Sequence, residues 1–242
     1  LLNIPIMIHG FWHAGNYDKN DFLGRLINSQ WVKTFEKSLA QAIDYNWFAS
    51  DYHLNMFRKN FGYKEIELFR TGWPMEYLND MFEPKPKENI ILFPHRIAPE
   101  KQPEIFRDLK ESMPEYEFVI CQEQELNKNE YHNLLGEAKM VFSANLQETL
   151  GISWYEGCLV DTMPLVPNRL SYSEMAIPEF AYPSIWTGAP SQRLQGALRA
   201  PGKSRAQRET HIMLNVLHRA SGLVRVLATD GEESASGTRS RA

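Results

Sequence analysis

The sequence has only two cysteines among 242 residues, no long apolar run, no surplus of positive charge and, after Thr187, no aromatic residue. Cys121 and Cys158 form no C-x-x-C pair and both lie in apolar patterns, so a disulfide framework is not expected and buried free thiols in a reducing compartment are. No segment approaches the roughly 20 uninterrupted apolar residues of a membrane-spanning helix, and the N-terminus lacks a basic region followed by an apolar core. A soluble, cytoplasmic protein is the expectation. Lysine and arginine number 26 against 30 acidic residues, a net charge of -4, which excludes a generally basic nucleic-acid binder though not a local basic patch.

Residues 188–242 hold nine Lys or Arg against four Asp or Glu, and every Phe, Trp and Tyr precedes them. Within them Ile212 to Leu227 is amphipathic, while the end, DGEESASGTRSRA, has the composition of disorder. This tail reads either as foreign to the fold or as a flexible basic arm. The chain opens at Leu1-Leu2 without a methionine and enters an apolar run at once, which reads as a fragment.

What is present is ordinary for a globular protein, 43% hydrophobic and 23% charged, with length for one large domain or two small ones. The pattern alternates between strand and helix. Asn3 to His9 reads as a buried strand, followed by the polar loop GFWHAGNYDKND at its carboxyl end, where open α/β sheets place ligands. Gln30 to Ile43, with Trp31, Phe35, Leu39 and Ile43 at steps of four, predicts an amphipathic helix. A strand over Asp44 to Ser50, a helix over Asp51 to Phe61 stopped by Gly62, and a strand over Glu65 to Phe69 follow.

Residues 83–89 (EPKPKEN) have two prolines, alternating charge and no apolar anchor, which is linker composition. Beyond them come a strand (Ile90 to Pro94), a helix (Pro99 to Ser112), a strand (Glu117 to Cys121), a helix (Glu130 to Ala138) and a strand (Met140 to Ser143). A helix over Gly151 to Val160 and a strand over Met163 to Val166 complete the series. Such alternation implies parallel sheets built from right-handed βαβ units. The expected division is 1–82, a linker 83–89, a second unit 90–187 and the tail 188–242.

Two stretches can carry chemistry. In FPHRIAPEK, Arg96 and Lys101 flank a helix start at a strand's carboxyl end, where cations, dipole and free N–H groups together suit a diphosphate. Solvated charges at a helix start are the plainer explanation. In Glu148 to Glu156, two glutamates bracket a helix start whose amides at Thr149, Leu150 and Gly151 could meet hydroxyl or phosphate oxygens. Glu156 shares its helix with Ile152, Trp154, Tyr155, Cys158 and Leu159, so its carboxylate needs a partner, for which a ribose diol would serve. His9 and His13 form an i, i+4 pair without a third ligand of zinc spacing.

FPHRIAPEKQPEIF resembles the phosphate-binding strand, loop and helix of the retaining family 4 glycosyltransferases, and ETLGISWYEGCLVDTMPLVPN resembles their paired-glutamate motif. The resemblance covers roughly Asn3 to Thr187. It implies a GT-B-like α/β fold of two Rossmann-like parallel-sheet domains, the N-terminal, acceptor-side one incomplete. The implied activity is transfer of a hexose from a nucleotide-diphosphate sugar to a carbohydrate, lipid or nucleic-acid hydroxyl, with retention and without a cofactor or metal.

By the same resemblance Arg96 and Lys101 hold the diphosphate, Glu148 the sugar and Glu156 the ribose, with Thr149, Leu150 and Gly151 lining the donor. His13, with His9 as second choice, would face the reacting carbon. His95 stands where the family has glycine. Two alternatives remain open at this level: a nucleotide-sugar-binding module without turnover, and a DNA-modifying transferase acting on a hydroxylated base.

Overall fold

The computed structural model describes residues 5–26, 30–62 and 66–188. The tail expected from residue 188 onward therefore lies, apart from Gly188, outside the described residues, as do Asn3, Ile4 and Glu65. Two parallel sheets organise the rest. The first has strands β1 (His9–Trp12), β2 (Tyr45–Phe48) and β3 (Leu68–Arg70) in the order β1-β2-β3. The second has β4 (Glu88–Phe93), β5 (Glu117–Ile120), β6 (Ala138–Phe142), β7 (Met163–Pro167) and β8 (Ala181–Tyr182) in the order β5-β4-β6-β7-β8. Helices α1 (Gln30–Ala42), α2 (Asp51–Phe61), α3 (Pro103–Ser112), α4 (Lys128–Glu137), α5 (Ile152–Cys158) and α6 (Tyr172–Met175) connect them. No helix among the described residues is long and apolar enough to cross a membrane.

The second sheet is covered on both faces because its central strands carry runs of apolar residues, Ile90 to Phe93 in β4, Phe118 to Ile120 in β5 and Met140 to Phe142 in β6. In β4, Ile91 and Phe93 pack with Phe106 and Leu109 of α3, while Ile90 and Leu92 pack with Leu135 of α4 and Val160 after α5. The two-residue side-chain period sorts one apolar run into two cores. The first sheet alternates instead. Trp12 and Phe48 point toward Leu54, Phe57 and Phe61 of α2, whereas Phe11, Tyr45, Trp47 and Phe69 line the opposite face half-buried.

Helix α2 has the predicted bounds for identifiable reasons. Ser50 caps it by accepting from His53 N at 3.3 Å, and Gly62 ends it in the left-handed region at φ 66°. The residues expected as a linker are held down: Lys87 Nζ donates to Gly136 O (2.6 Å), Val160 O (2.5 Å) and Thr162 Oγ1 (2.8 Å), and Glu88 already belongs to β4. Burial pulls the Lys87 amine down to about 8.

The structure departs from the sequence expectations at several places. The first strand begins, rather than ends, at His9. Pairing with β2 starts at His9 opposite Tyr45, and Ile6, Met7 and Ile8 before it are exposed. On α1 the apolar stripe faces outward, with Trp31 67% and Phe35 59% exposed, while Val32, Glu36 and Ala40 are buried. Cys121 is only half-buried and Cys158 is exposed. The helix expected over Pro99 to Ser112 is broken into a 3-10 turn (Pro99–Lys101) and α3, with Gln102 between them at φ 54°. Pro103 is the physical reason, because a following proline disfavours the right-handed helical region. Gln102 Nε2 fixes the break by donating to Ala144 O at 2.5 Å and Thr187 O at 2.6 Å.

Candidate functional site

The carboxyl ends of the two sheets meet along a seam. Thr149 Oγ1 donates to His13 O at 2.5 Å, and Ser50 Oγ to Thr149 O at 2.7 Å. Asn20 Nδ2 reaches Leu146 O at 2.9 Å, and Arg25 pairs with Glu100 at 2.9 Å. Glu174, on α6, accepts from the first free amides of α2, Asp51 N at 2.8 Å and Tyr52 N at 2.7 Å. A carboxylate at a helix N-terminus is favoured by both the unpaired N–H groups and the dipole.

On the second sheet's side the break at Gln102 turns the preceding residues inward, so Glu100 and Lys101 are buried. Lys101 Nζ donates to Gln147 O at 2.7 Å and to Glu148 Oε2 at 3.2 Å. Asn145 Nδ2 donates to the same carboxylate oxygen at 3.2 Å, and Thr149 N donates to Oε1 at 3.1 Å. Burial would raise the Glu148 carboxyl, but Lys101, through its charge and its hydrogen bond, and the bond from Leu150 N hold it below the ordinary value. It is therefore ionised near neutrality, and Lys101 keeps its third N–H beyond these two bonds.

Arg96 lies on the same loop, more than half exposed, and pairs with Glu100. Glu100 is shared with Arg25, and despite its burial the two guanidiniums hold its carboxyl low. His95 is 7% exposed, packs edge-on to Phe93, and is pushed down to about 3 by burial and by Lys101, so its ring is neutral. Gly151 opens α5 at φ 84°, where a Cβ would stand 2.7 Å from Trp154, so the close turn requires glycine.

Of the expected site residues, Glu148, Lys101, Thr149 and His13 come together at the seam, and Leu150 and Gly151 follow in the same turn. Arg96 stands beside them through Glu100. His13 presents its carbonyl to Thr149, while its ring packs 5.2 Å from both Phe11 and Trp73. His9 begins β1 and so sits at the end of the strand away from the seam, where its ring stacks on Tyr45 at 4.8 Å. Glu156 already has a protein partner, since Tyr131 OH donates to its Oε2 at 2.7 Å. Sequence reasoning missed Asn145, Tyr172 and Ser143. Asn145 Nδ2 joins Glu148 to Tyr172 OH at 2.9 Å, and Tyr172 OH meets Ser143 Oγ at 2.9 Å. The signal was the run SAN directly after β6, polar residues following the apolar stretch Met140 to Phe142. Among the described residues no group of three His, Cys, Asp or Glu side chains is placed to hold a metal ion.

No protein-family model matches the sequence, and a search of curated proteins finds no match. Solved structures do match. A point mutant of S. aureus TarM in complex with fondaparinux, alpha-GlcNAc-glycerol and UDP superposes with a TM-score of 0.57 at 13% identity, over 88% of this chain and 45% of that one. Sucrose-phosphate synthase from Thermosynechococcus elongatus gives 0.59 at 14%, over 94% and 69%. The pneumococcal O-GlcNAc transferase GtfA with UDP and GlcNAc gives 0.53 at 11%, over 94% and 52%. At these identities the likeness shows the fold, an α/β architecture of two facing parallel sheets like that of the GT-B glycosyltransferases. The chain spans about half the length of TarM and of GtfA.

Proposed function

We propose that the chain is the donor-holding part of a glycosyltransferase that moves a hexose from a nucleotide-diphosphate sugar to a hydroxyl group with retention of configuration, as family 4 enzymes do. The observation that supports this most is the Lys101–Glu148 pair at 3.2 Å, set at the carboxyl ends of β4 and β6 against a second parallel sheet. A cation and an ionised carboxylate side by side suit the two ends of such a donor, one anionic and one rich in hydroxyls.

In this reading Lys101, through its remaining N–H, and Arg96 hold the diphosphate and stabilise the charge that grows on it as the glycosidic bond breaks. Glu148 accepts from sugar hydroxyls. The amides of Leu150 and Gly151, with Thr149, line the sugar and phosphate. Glu156 would share its carboxylate between Tyr131 and a ribose. His13 faces the reacting carbon, and attack occurs on the face that the leaving group has vacated. No metal is assigned.

Thermal denaturation with UDP, UDP-glucose, UDP-N-acetylglucosamine and GDP-mannose tests the donor site, because a ligand at 100 times its Kd stabilises the folded state by about 2.7 kcal/mol. One of the four should raise the Tm of the wild type, and Lys101→Ala and Glu148→Ala should each abolish that rise and any transfer. Full activity in both variants sinks the assignment. The cationic stretch behind the DNA-modifying alternative lies outside the described residues, and no observation on the described ones favours it.

A further inference from the structure

The loop between β1 and α1 buries a carboxylate that no described residue fully satisfies. Asp18 is 4% exposed. Its Oδ1 accepts from Asn20 N at 2.9 Å, closing a local turn, and no described residue donates to Oδ2. The loop around it is tightly built: Asp18 N bonds to Gly15 O and Asp21 N to Asp18 O, both at 3.0 Å, and a Cβ at Gly24 would meet Asp18 O at 2.1 Å. Two residues of the same loop cross the seam, Asn20 to Leu146 O and Arg25 to Glu100. They bring Asp18 near Lys101 of the opposite wall, whose charge acts on it together with that of Lys19. Burial nevertheless dominates and raises the Asp18 carboxyl.

A buried carboxylate with one of about four acceptor positions filled costs stability. Groups held at such a cost concentrate where a ligand completes their bonding. The surroundings restrict that ligand. Asp21 adds a second negative charge beside Asp18, which disfavours an anion, and Lys101 with Lys19 disfavours a cation. What remains is a neutral hydrogen-bond donor.

Resting on the glycosyltransferase reading, we infer that Asp18 is a substrate-binding residue of the facing wall, whose Oδ2 accepts a hydrogen bond from a sugar hydroxyl held across the seam from Lys101 and Glu148. The hydroxyl belongs to the donor sugar or to the acceptor.

The test compares wild type with Asp18→Asn, which keeps the shape and the Oδ1 bond to Asn20, and with Asp18→Ser, which can make the same local turn. Calorimetry uses UDP, UDP-N-acetylglucosamine and UDP-glucose, and then free N-acetylglucosamine and glucose added to the UDP complex. Thermal denaturation without ligand is run alongside. The expected result is an unchanged or higher Tm for Asp18→Asn, unchanged UDP affinity, and a loss of about tenfold or more in affinity for a sugar-bearing ligand, in keeping with a hydrogen bond to a charged group.

Loss confined to the nucleotide sugar places the hydroxyl on the donor; loss confined to the free sugar places it on the acceptor. A lower Tm with a parallel loss of UDP binding makes Asp18 structural and overturns the inference, as do unchanged sugar affinities. Wild-type protein that binds UDP but no sugar overturns it while leaving the nucleotide site standing. Wild-type protein that binds none of the ligands overturns the glycosyltransferase reading, and this assignment with it.

Discussion

The two walls of the seam solve the problem of buried charge in opposite ways. On the second sheet's side each buried carboxylate has a cation: Glu148 has Lys101, and Glu100 has Arg96 and Arg25. Both carboxyls are held below their ordinary values despite burial. On the first sheet's side Asp18 and Glu36 are buried with one oxygen each unpartnered among the described residues, and burial raises both. The first arrangement balances its buried charges internally. The second leaves part of each carboxylate's bonding unmade, which costs stability.

That contrast is broken most directly by removing one charge. Lys101→Met leaves Glu148 buried and unpaired, and breaking a buried ion pair from one side costs about 3–5 kcal/mol. Lys101 and Glu148 side chains are 9% and 17% exposed, so the lower end of that range is expected in chemical denaturation. Adding Glu148→Gln should restore much of the loss. If Lys101→Met costs under about 1 kcal/mol, the pair is solvated like a surface bridge and the contrast disappears.

The next effect concerns what aims Lys101. Gln102→Ala removes side-chain donors to Ala144 O and Thr187 O, although Arg169 also donates to both carbonyls. A loss of about 1–3 kcal/mol is expected for a buried polar group left partly unsatisfied. Nucleotide binding should weaken at the same time, because the left-handed residue is what turns Lys101 inward. Unchanged nucleotide binding would show that Pro103 alone sets the break.

Acid should separate the walls. His53 and His95, one in each wall, are lowered to about 3 by burial, so each contributes stability that is lost as pH falls from about 6.5 toward 3. Glu148 and Glu100, with folded values below the unfolded ones, add a further loss as pH falls through their range. Asp18 and Glu36 act in the other sense: their folded values are raised, so the folded state takes up protons first and gains stability as pH falls. The second sheet's half should therefore open first between pH 6 and 4. Hydrogen exchange, corrected for its intrinsic pH dependence, should show β4 and β6 amides losing protection before those of β2 and α2. The reverse order would mean that the unpaired carboxylates do not set the balance.

This division also marks what was legible in the sequence. That Lys101 and Glu148 would come together could be read, because a cation and a carboxylate at such offsets from the ends of neighbouring parallel strands reach the same edge of the sheet. The bounds of α2 could be read from Ser50 and Gly62, because capping is local. The inward turn at Gln102 is implied by Pro103, which lies inside the helix expected over Pro99 to Ser112. Asp18 could not be singled out from Asp21 or Glu36 by sequence, since its burial depends on Asn20 and Arg25 reaching residues more than 70 positions away. Glu156 is expected to need a partner because its helix is apolar, and Tyr131, on a helix the sequence pattern does not link to it, supplies one.

The smallest effect is expected at the inverted face of α1. Its stripe of Trp31, Phe35 and Leu39 has the period of a buried face, yet the buried side is formed by Val32, Glu36 and Ala40, of which Ala40 packs with Trp12 and Phe48. Glu36 is on that side because Asn16 N donates to its Oε1 at 2.9 Å, which ties the helix to the loop that carries Asp18. A helix oriented by that bond must turn its aromatic residues outward, since Phe35 and Glu36 are neighbours about 100° apart around the axis. Phe35→Ala should then change stability by no more than about 0.5 kcal/mol, the usual range for a surface substitution away from special features. Phe106 on α3, 1% exposed, is the matched position in the other half, where the same substitution opens a cavity. A loss of 2 kcal/mol or more at Phe35 would mean that this face is covered in solution and that the first half, like the second, is packed on both sides.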